Sequence, residues 1–256
     1  MEKYEQVLEK FLLAHKNHPD FEGAVLCGSY ASGNQTPVSD IDVHIVMSDV
    51  CELRERGNVF IDGMLVEYFI NPIFKIKETL EREFQEYGSA TANMFGYGKI
   101  LYDKTGKVHE IQQLARSYFE KDFAPLCFYQ LQNDLYHVWD DRDEFLSASS
   151  EKCSTHILYG RLLSDLVNLY MKHQGIGLQS LSKLEKLLSD DMFASRYHLK
   201  KQPDHNFKEL TLACLRSNDE CKVECIQKLY HYVIKTCGGF DIGHFKMTSQ
   251  VKKSIS

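Results

Sequence analysis

The apolar pattern of this chain changes character once, near residue 104, and that change restricts its fold more than any other feature. Before it, short apolar runs bounded by glycine, asparagine and proline alternate with helical stripes. After it, every hydrophobic pattern has the 3.6-residue period. Tyr4, Val7, Leu8, Phe11 and Leu12 mark a first helix over residues 2–15. Residues 24–27 read as a buried strand stopping at Gly28-Ser29, and residues 30–39 as a turn-rich spacer. Residues 40–46 form a second strand, with Ile41, Val43 and Ile45 on one face. Residues 58–61 and 64–70 flank Asp62-Gly63, a dipeptide suited to a two-residue hairpin turn. Asn71-Pro72 predicts a helix start, with a capping side chain followed by proline at the first helical position, and the helix runs to about residue 87. Residues 98–103 complete the strands. Helices follow over 108–122, 126–145, 155–173, 178–188, 206–216 and 219–236, with Gly175 and Gly238-Gly239 as stops. The expected class is α+β: a mixed β-sheet with flanking helices in residues 1–105, then a helical bundle in residues 106–256.

Charge and cysteine usage narrow the function classes. Residues 1–105 carry 17 acidic and 10 basic side chains, a net of −7, whereas residues 106–256 carry 19 and 20, a net of +1. Nucleic-acid binders usually present a basic stripe, because phosphate neutralisation dominates their affinity. The nearest approach here is Arg196, His198, Lys200 and Lys201, which reads as a solvated loop, so no nucleic-acid partner is expected. No apolar run reaches the ~20 residues of a membrane span, and the N-terminus has no signal-peptide block. A cytoplasmic protein with no membrane partner is expected. The eight cysteines are scattered, without zinc-site spacing, and read as reduced thiols packed mostly as small hydrophobes.

Three features of the first half converge on one chemistry. Gly28 lets backbone approach a ligand closely, and Ser29 adds a hydroxyl where a strand gives way to a helical turn, a corner suited to phosphate oxygens. Asp40 and Asp42 point to the same face of a strand, roughly 7 Å apart along it, and repel each other unless a cation sits beside them. Glu67 lies in Leu65-Val66-Glu67-Tyr68-Phe69-Ile70, where an unpaired carboxylate is costly to bury. A strand bearing Glu67 beside the one bearing Asp42 would assemble three carboxylates around magnesium.

The run Gly28-Ser29-Tyr30-Ala31-Ser32-Gly33, then Ser39-Asp40-Ile41-Asp42-Val43, then Val66-Glu67, resembles the signature of the nucleotidyltransferase superfamily related to DNA polymerase beta. The helical half resembles, more loosely, the second domain of antibiotic nucleotidyltransferases acting on aminoglycosides and lincosamides. The resemblance implies that Asp40 and Asp42 bind one or two Mg2+ ions bridging the phosphates of a nucleoside triphosphate, and that Gly28, Ser29 and Ser39 hold its tail. Glu67 would be the third metal ligand or the general base, and the sequence does not choose between them. The implied reaction moves a nucleoside monophosphate, AMP from ATP, to a hydroxyl of a small molecule such as an antibiotic, in a cleft between the two domains. The antibiotic group also implies a homodimer. Two alternatives stand beside this: a protein-modifying enzyme of antitoxin type, and a nucleotide-binding module without catalysis.

Further candidates have plainer readings. His44 shares a face with Asp40 and Asp42, but magnesium rarely takes imidazole, so a structural or supporting role is expected. Asp134, His137 and Asp141 border the apolar stripe of Leu131, Leu135 and Val138 and are read as a solvated helix face rather than a cationic-substrate site. Phe128, Tyr136, Trp139, Tyr159 and Tyr170 are read as core aromatics by default, with the lining of an acceptor pocket as the alternative for some of them.

Overall fold

The structure, a computed structural model, describes residues 2–178, 180–195 and 201–248. Arg196, His198 and Lys200 of the basic loop lie outside the described residues. The chain divides into two compact units, Met1–Lys121 and Asp122–Ser256.

The first unit is a three-layer α/β sandwich. Helix α1 (Lys3–His15) leads to β1 (Phe21–Leu26), a one-turn helix α2 (Gly28–Ser32) and β2 (Ile41–Met47). The hairpin β3 (Glu55–Ile61) and β4 (Met64–Pro72) follows, then α3 (Ile73–Gln85), α4 (Ala90–Gly96), β5 (Lys99–Asp103) and α5 (Lys107–Ser117). The sheet order is β3-β4-β2-β1-β5, with β2 and β4 parallel and the other pairs antiparallel. This is the mixed sheet expected from the sequence, and the Asp62-Gly63 turn has positive φ at both positions (51° and 78°), as a two-residue hairpin requires.

Side-chain alternation builds the two cores. Ala24, Leu26, Ile41, Val43 and Ile45 face Val7, Leu8, Phe11 and Leu12 of α1. Val25, Cys27 and Val46 face the opposite way, onto Ile73, Ile76 and Leu80 of α3, Phe95 of α4, and Val108, Ile111 and Ala115 of α5. Burial of α5 on this face carries the first unit past residue 105, where the strand pattern stops, to Lys121.

Local differences from the sequence reading have identifiable causes. Asn71 does not cap α3. Its amide is buried and bonded to His44 and Arg54, while Asp49 Oδ1 reaches over to accept the Phe74 N–H at 2.7 Å. Helix α3 ends at Gln85 because Tyr87 turns into the left-handed region (φ 63°) and the Gly88 N–H bonds back to the Glu83 carbonyl. Helix α4 is absent from the sequence reading; it is anchored by Glu83, whose carboxylate accepts the Thr91 N–H at 2.7 Å and hydroxyl at 2.8 Å.

The second unit is helical: α6 (Phe128–Ser150), α7 (His156–His173), α8 (Leu184–Ser189), α9 (Asp191–Ser195), α10 (His205–Leu215) and α11 (Lys222–Thr236). Leu135, Phe145, Leu162, Leu166, Tyr170, Phe207, Leu229 and Val233 form its core. Residues 178–188 are not one helix. A 3₁₀ turn over Leu181–Lys183 precedes α8, with the Ser180 and Ser182 hydroxyls paired at 2.8 Å. All eight cysteines are free thiols; Cys27, Cys51, Cys214 and Cys237 are buried, but Cys127 and Cys153 are exposed. Among the described residues no helix is long and apolar enough to cross a membrane.

Candidate active site

The parallel pairing of β2 with β4 sets Asp42 directly beside Glu67. Asp40, immediately before β2, completes a cluster in which one oxygen from each of the three carboxylates lies within 4.8 Å of the others. All three residues are partly buried. Oxygens in one octahedral magnesium shell lie roughly 3 to 4 Å apart for metal–oxygen distances of about 2.1 Å, so small side-chain rotations bring this set onto a single ion. The donors are hard carboxylate oxygens, and they suit magnesium or manganese.

The turn after β1 is shaped around Asp42. The Cys27 N–H donates to the Asp42 carbonyl at 2.8 Å, fastening the end of β1 to the start of β2. Gly28 has φ 63°, and a Cβ there would land on Asp42 Oδ2 and stand 2.8 Å from Cγ. Only glycine satisfies both the backbone conformation and the close approach. Ser29 is the second residue of the one-turn helix α2, and its carbonyl accepts the Asn34 N–H at 2.9 Å. The Ser39 hydroxyl is occupied in its own turn, accepting the Thr36 N–H at 2.9 Å and pairing with Thr36 Oγ1 at 3.1 Å. It fixes the approach of the chain to Asp40.

One residue at this site was not read from the sequence. Arg56 donates to Glu67 Oε1 from Nη2 at 2.7 Å and from Nε at 3.3 Å, and its guanidinium lies 4.9 Å from the centre of the Phe69 ring. The signal was present in the hairpin register. Counting back from the Asp62-Gly63 turn pairs Asn58 with Glu67 and Arg56 with Phe69, so Arg56 is the diagonal neighbour of Glu67 on the same face.

His44 turns away from the carboxylates into a buried chain. Arg54 Nε donates to Asn71 Oδ1 at 2.9 Å, which orients the amide so that Nδ2 donates to His44 Nε2 at 2.9 Å. Burial first, and the Arg54 charge second, push the imidazole down to about 3, so the ring is neutral and its proton sits on Nδ1. That nitrogen has no hydrogen-bond partner among the described residues, and the ring packs against Phe69 and Phe95. The neutral ring, packed among aromatics and bonded to Asn71, belongs to the buried core of the first unit, and the carboxylate cluster does not include it.

In the second unit, Asp134 and Asp141 do not form a solvated face. Asp141 is buried and pairs with Arg161 of α7 at 2.6 Å, and Asp134 lies 3.5 Å from Lys172. Asp165 shares a hydrogen bond with Asp141; its carboxyl is pushed up to about 6, chiefly by burial and then by that partner. His137 alone of the three is exposed. Tyr170 is core, with 1% exposure, but Phe128 is 78% exposed and lines a cavity of about 670 Å³ together with Tyr129, Phe240, Asp241 and Phe245.

The family model described as a nucleotidyltransferase domain matches residues 8–91, the stretch containing Gly28, Ser29, Ser39, Asp40, Asp42 and Glu67. No curated protein matches the chain. Among solved structures, a nucleotidyltransferase-like protein from Exiguobacterium sibiricum 255-15 aligns with 91% of this chain and 75% of its own, at 10% identity and a TM-score of 0.48. With the matched domain in place, the chain is a transferase enzyme.

Proposed function

We propose that the chain transfers a nucleoside monophosphate, AMP from ATP, to a hydroxyl of a small molecule and releases pyrophosphate. The observation that carries the reading is the convergence of Asp40, Asp42 and Glu67 within 4.8 Å beneath a glycine that yields its side-chain space to Asp42. A divalent ion held there would neutralise triphosphate charge and compensate the leaving pyrophosphate. Asp40 and Asp42 hold that ion. Gly28 and Ser29 let backbone N–H groups and a hydroxyl meet the phosphate oxygens at the turn. Glu67, beside Asp42, either completes the ligand set or takes the proton of the acceptor hydroxyl as its oxygen bonds the α-phosphorus and the α–β bridging bond breaks. The acceptor class, an aminoglycoside-like or lincosamide-like molecule, follows from the resemblance alone.

The test is mass spectrometry of an aminoglycoside and lincosamide panel incubated with protein, Mg2+ and each nucleoside triphosphate. A nucleotidylated product formed by wild type and lost in Asp42→Ala, with the fold retained by circular dichroism, supports the proposal. Turnover that persists in Asp42→Ala or without divalent metal sinks the mechanism, and the absence of any adduct sinks the acceptor class.

A further inference from the structure

Three carboxylates within 4.8 Å of one another repel in the absence of a cation, and the partly buried Glu67 side chain (19% exposed) feels that repulsion with less screening than a surface group. Rotation outward would relieve it. Arg56 opposes that rotation in a specific geometry. Both of its N–H contacts fall on the same oxygen, Oε1, and among the described residues Oε2 accepts no hydrogen bond. The guanidinium is held in turn over the Phe69 ring, which lies in register with Arg56 across the hairpin. An arginine that is itself 70% exposed thus has its planar head fixed at both ends.

We infer that Arg56 is a positioning residue: it holds Glu67 by Oε1 inside the acidic cluster and leaves Oε2 for the ion or for the acceptor proton. The inference rests on the metal-nucleotide reading of the site, and it assigns the order of the site before any ion arrives to a residue that touches no ligand. Hydrogen-bond partners of metal-ligating carboxylates typically change metal affinity ~10–100-fold when removed. Arg56→Ala is therefore expected to weaken Mn2+ binding by about that factor, even though it removes a positive charge from the neighbourhood.

The experiment titrates Mn2+ alone, followed through the paramagnetic signal of the free ion, into wild type, Arg56→Ala, Arg56→Lys, Glu67→Gln, Asp42→Ala and the Arg56→Ala/Glu67→Gln double variant. Three results support the inference. Arg56→Ala loses ~10–100-fold in affinity; the double variant loses no more than Glu67→Gln alone, showing that Arg56 acts through Glu67; and free guanidinium at non-denaturing concentration recovers part of the loss in Arg56→Ala. Arg56→Lys, which lacks the two-point contact, falls between. Unchanged or tighter Mn2+ binding in Arg56→Ala, or additive losses in the double variant, overturns it. Wild type that takes up no Mn2+, or Asp42→Ala that binds like wild type, overturns the metal reading and this inference with it. Because Arg56 is on an exposed edge strand, the Arg56 variants keep the fold, and circular dichroism verifies this for them and for the Glu67 and Asp42 variants.

Discussion

Replacing Gly28 by alanine separates the two demands that the structure makes at that position. The first is conformational: at φ 63° an alanine occupies the left-handed region at a cost of about 1–2 kcal/mol. The second is steric. The added Cβ overlaps Asp42 Oδ2 and stands 2.8 Å from Cγ and 3.3 Å from Cβ of Asp42, so the carboxylate must swing away by more than ~1 Å to restore van der Waals contact. Asp42 has little backbone freedom, since its carbonyl is tied to the Cys27 N–H and its strand is in register with β4. The swing is taken up by an off-rotamer side chain, at about 0.5–1.5 kcal/mol. Together these give a loss of about 1.5–3.5 kcal/mol, which lowers Tm by roughly 3–14 °C for a chain of this size. Gly33 is the internal control. It has φ 68°, and an added methyl there would meet nothing within 4 Å, so Gly33→Ala carries the conformational cost alone. Thermal melts and Mn2+ titrations of both variants form the assay. Gly28→Ala should melt lower than Gly33→Ala and lose metal binding that Gly33→Ala keeps. Equal melting losses together with wild-type Mn2+ affinity in Gly28→Ala would falsify the claim that the glycine exists to make room for Asp42.

Two further outcomes are expected in the second unit. Asp165, raised to about 6, holds its proton more tightly folded than unfolded, so its contribution to stability is complete below the unfolded value near ~4 and is lost as pH rises through about 6. Asp165→Asn, which keeps a donor toward Asp141 but has no charge to gain, should therefore exceed wild type in stability at pH 8 by about 1 kcal/mol, after discounting for its partial exposure, and lose nearly all of that advantage by about pH 3.5, below the unfolded value. Denaturant melts at the two pH values check it, and a constant difference would count against the shared proton. Asp204 caps α10 through the Phe207 N–H at 2.9 Å and accepts the hydroxyls of Tyr170 at 2.5 Å and Tyr232 at 2.7 Å. Asp204→Ala should cost about 2–3 kcal/mol, the lost cap plus an unmet buried hydroxyl donor. Adding Tyr170→Phe should then cost little more, and fully additive losses would refute the network.

What the sequence discloses is governed by how local the responsible interaction is. The α1 stripe, the Asp62-Gly63 hairpin and the Asp40–Asp42 face are set by neighbours a few residues away, so period and turn chemistry reveal them. The meeting of Asp42 with Glu67 depends on a parallel pairing between strands separated by another strand; the sequence supplies the motive, an improbable glutamate in an apolar run, but not the register. Asn71 has the residue type of a helix cap, yet His44 and Arg54 claim its amide, and no local rule foresees that competition. Asp134 and Asp141 stand at the border of an apolar stripe, where periodicity does not distinguish a facing helix from water. The Arg161 and Lys172 side chains that decide the matter lie on a different helix. Helix α4 has seven residues between glycines, too short to show a period, and depends on Glu83 for its first turn.

The hairpin that carries Glu67 also bears on how the protein reaches its native state. A hairpin closed by a two-residue turn forms on its own in microseconds, whereas the parallel alignment of β4 with β2 is a long-range event that comes later. At that late encounter a bare glutamate would advance on two aspartates and slow the closure of the sheet. Arg56 and Glu67 belong to the same hairpin, so a hairpin closed first would bring the glutamate together with its own cation, and the acidic strand would receive a neutral pair.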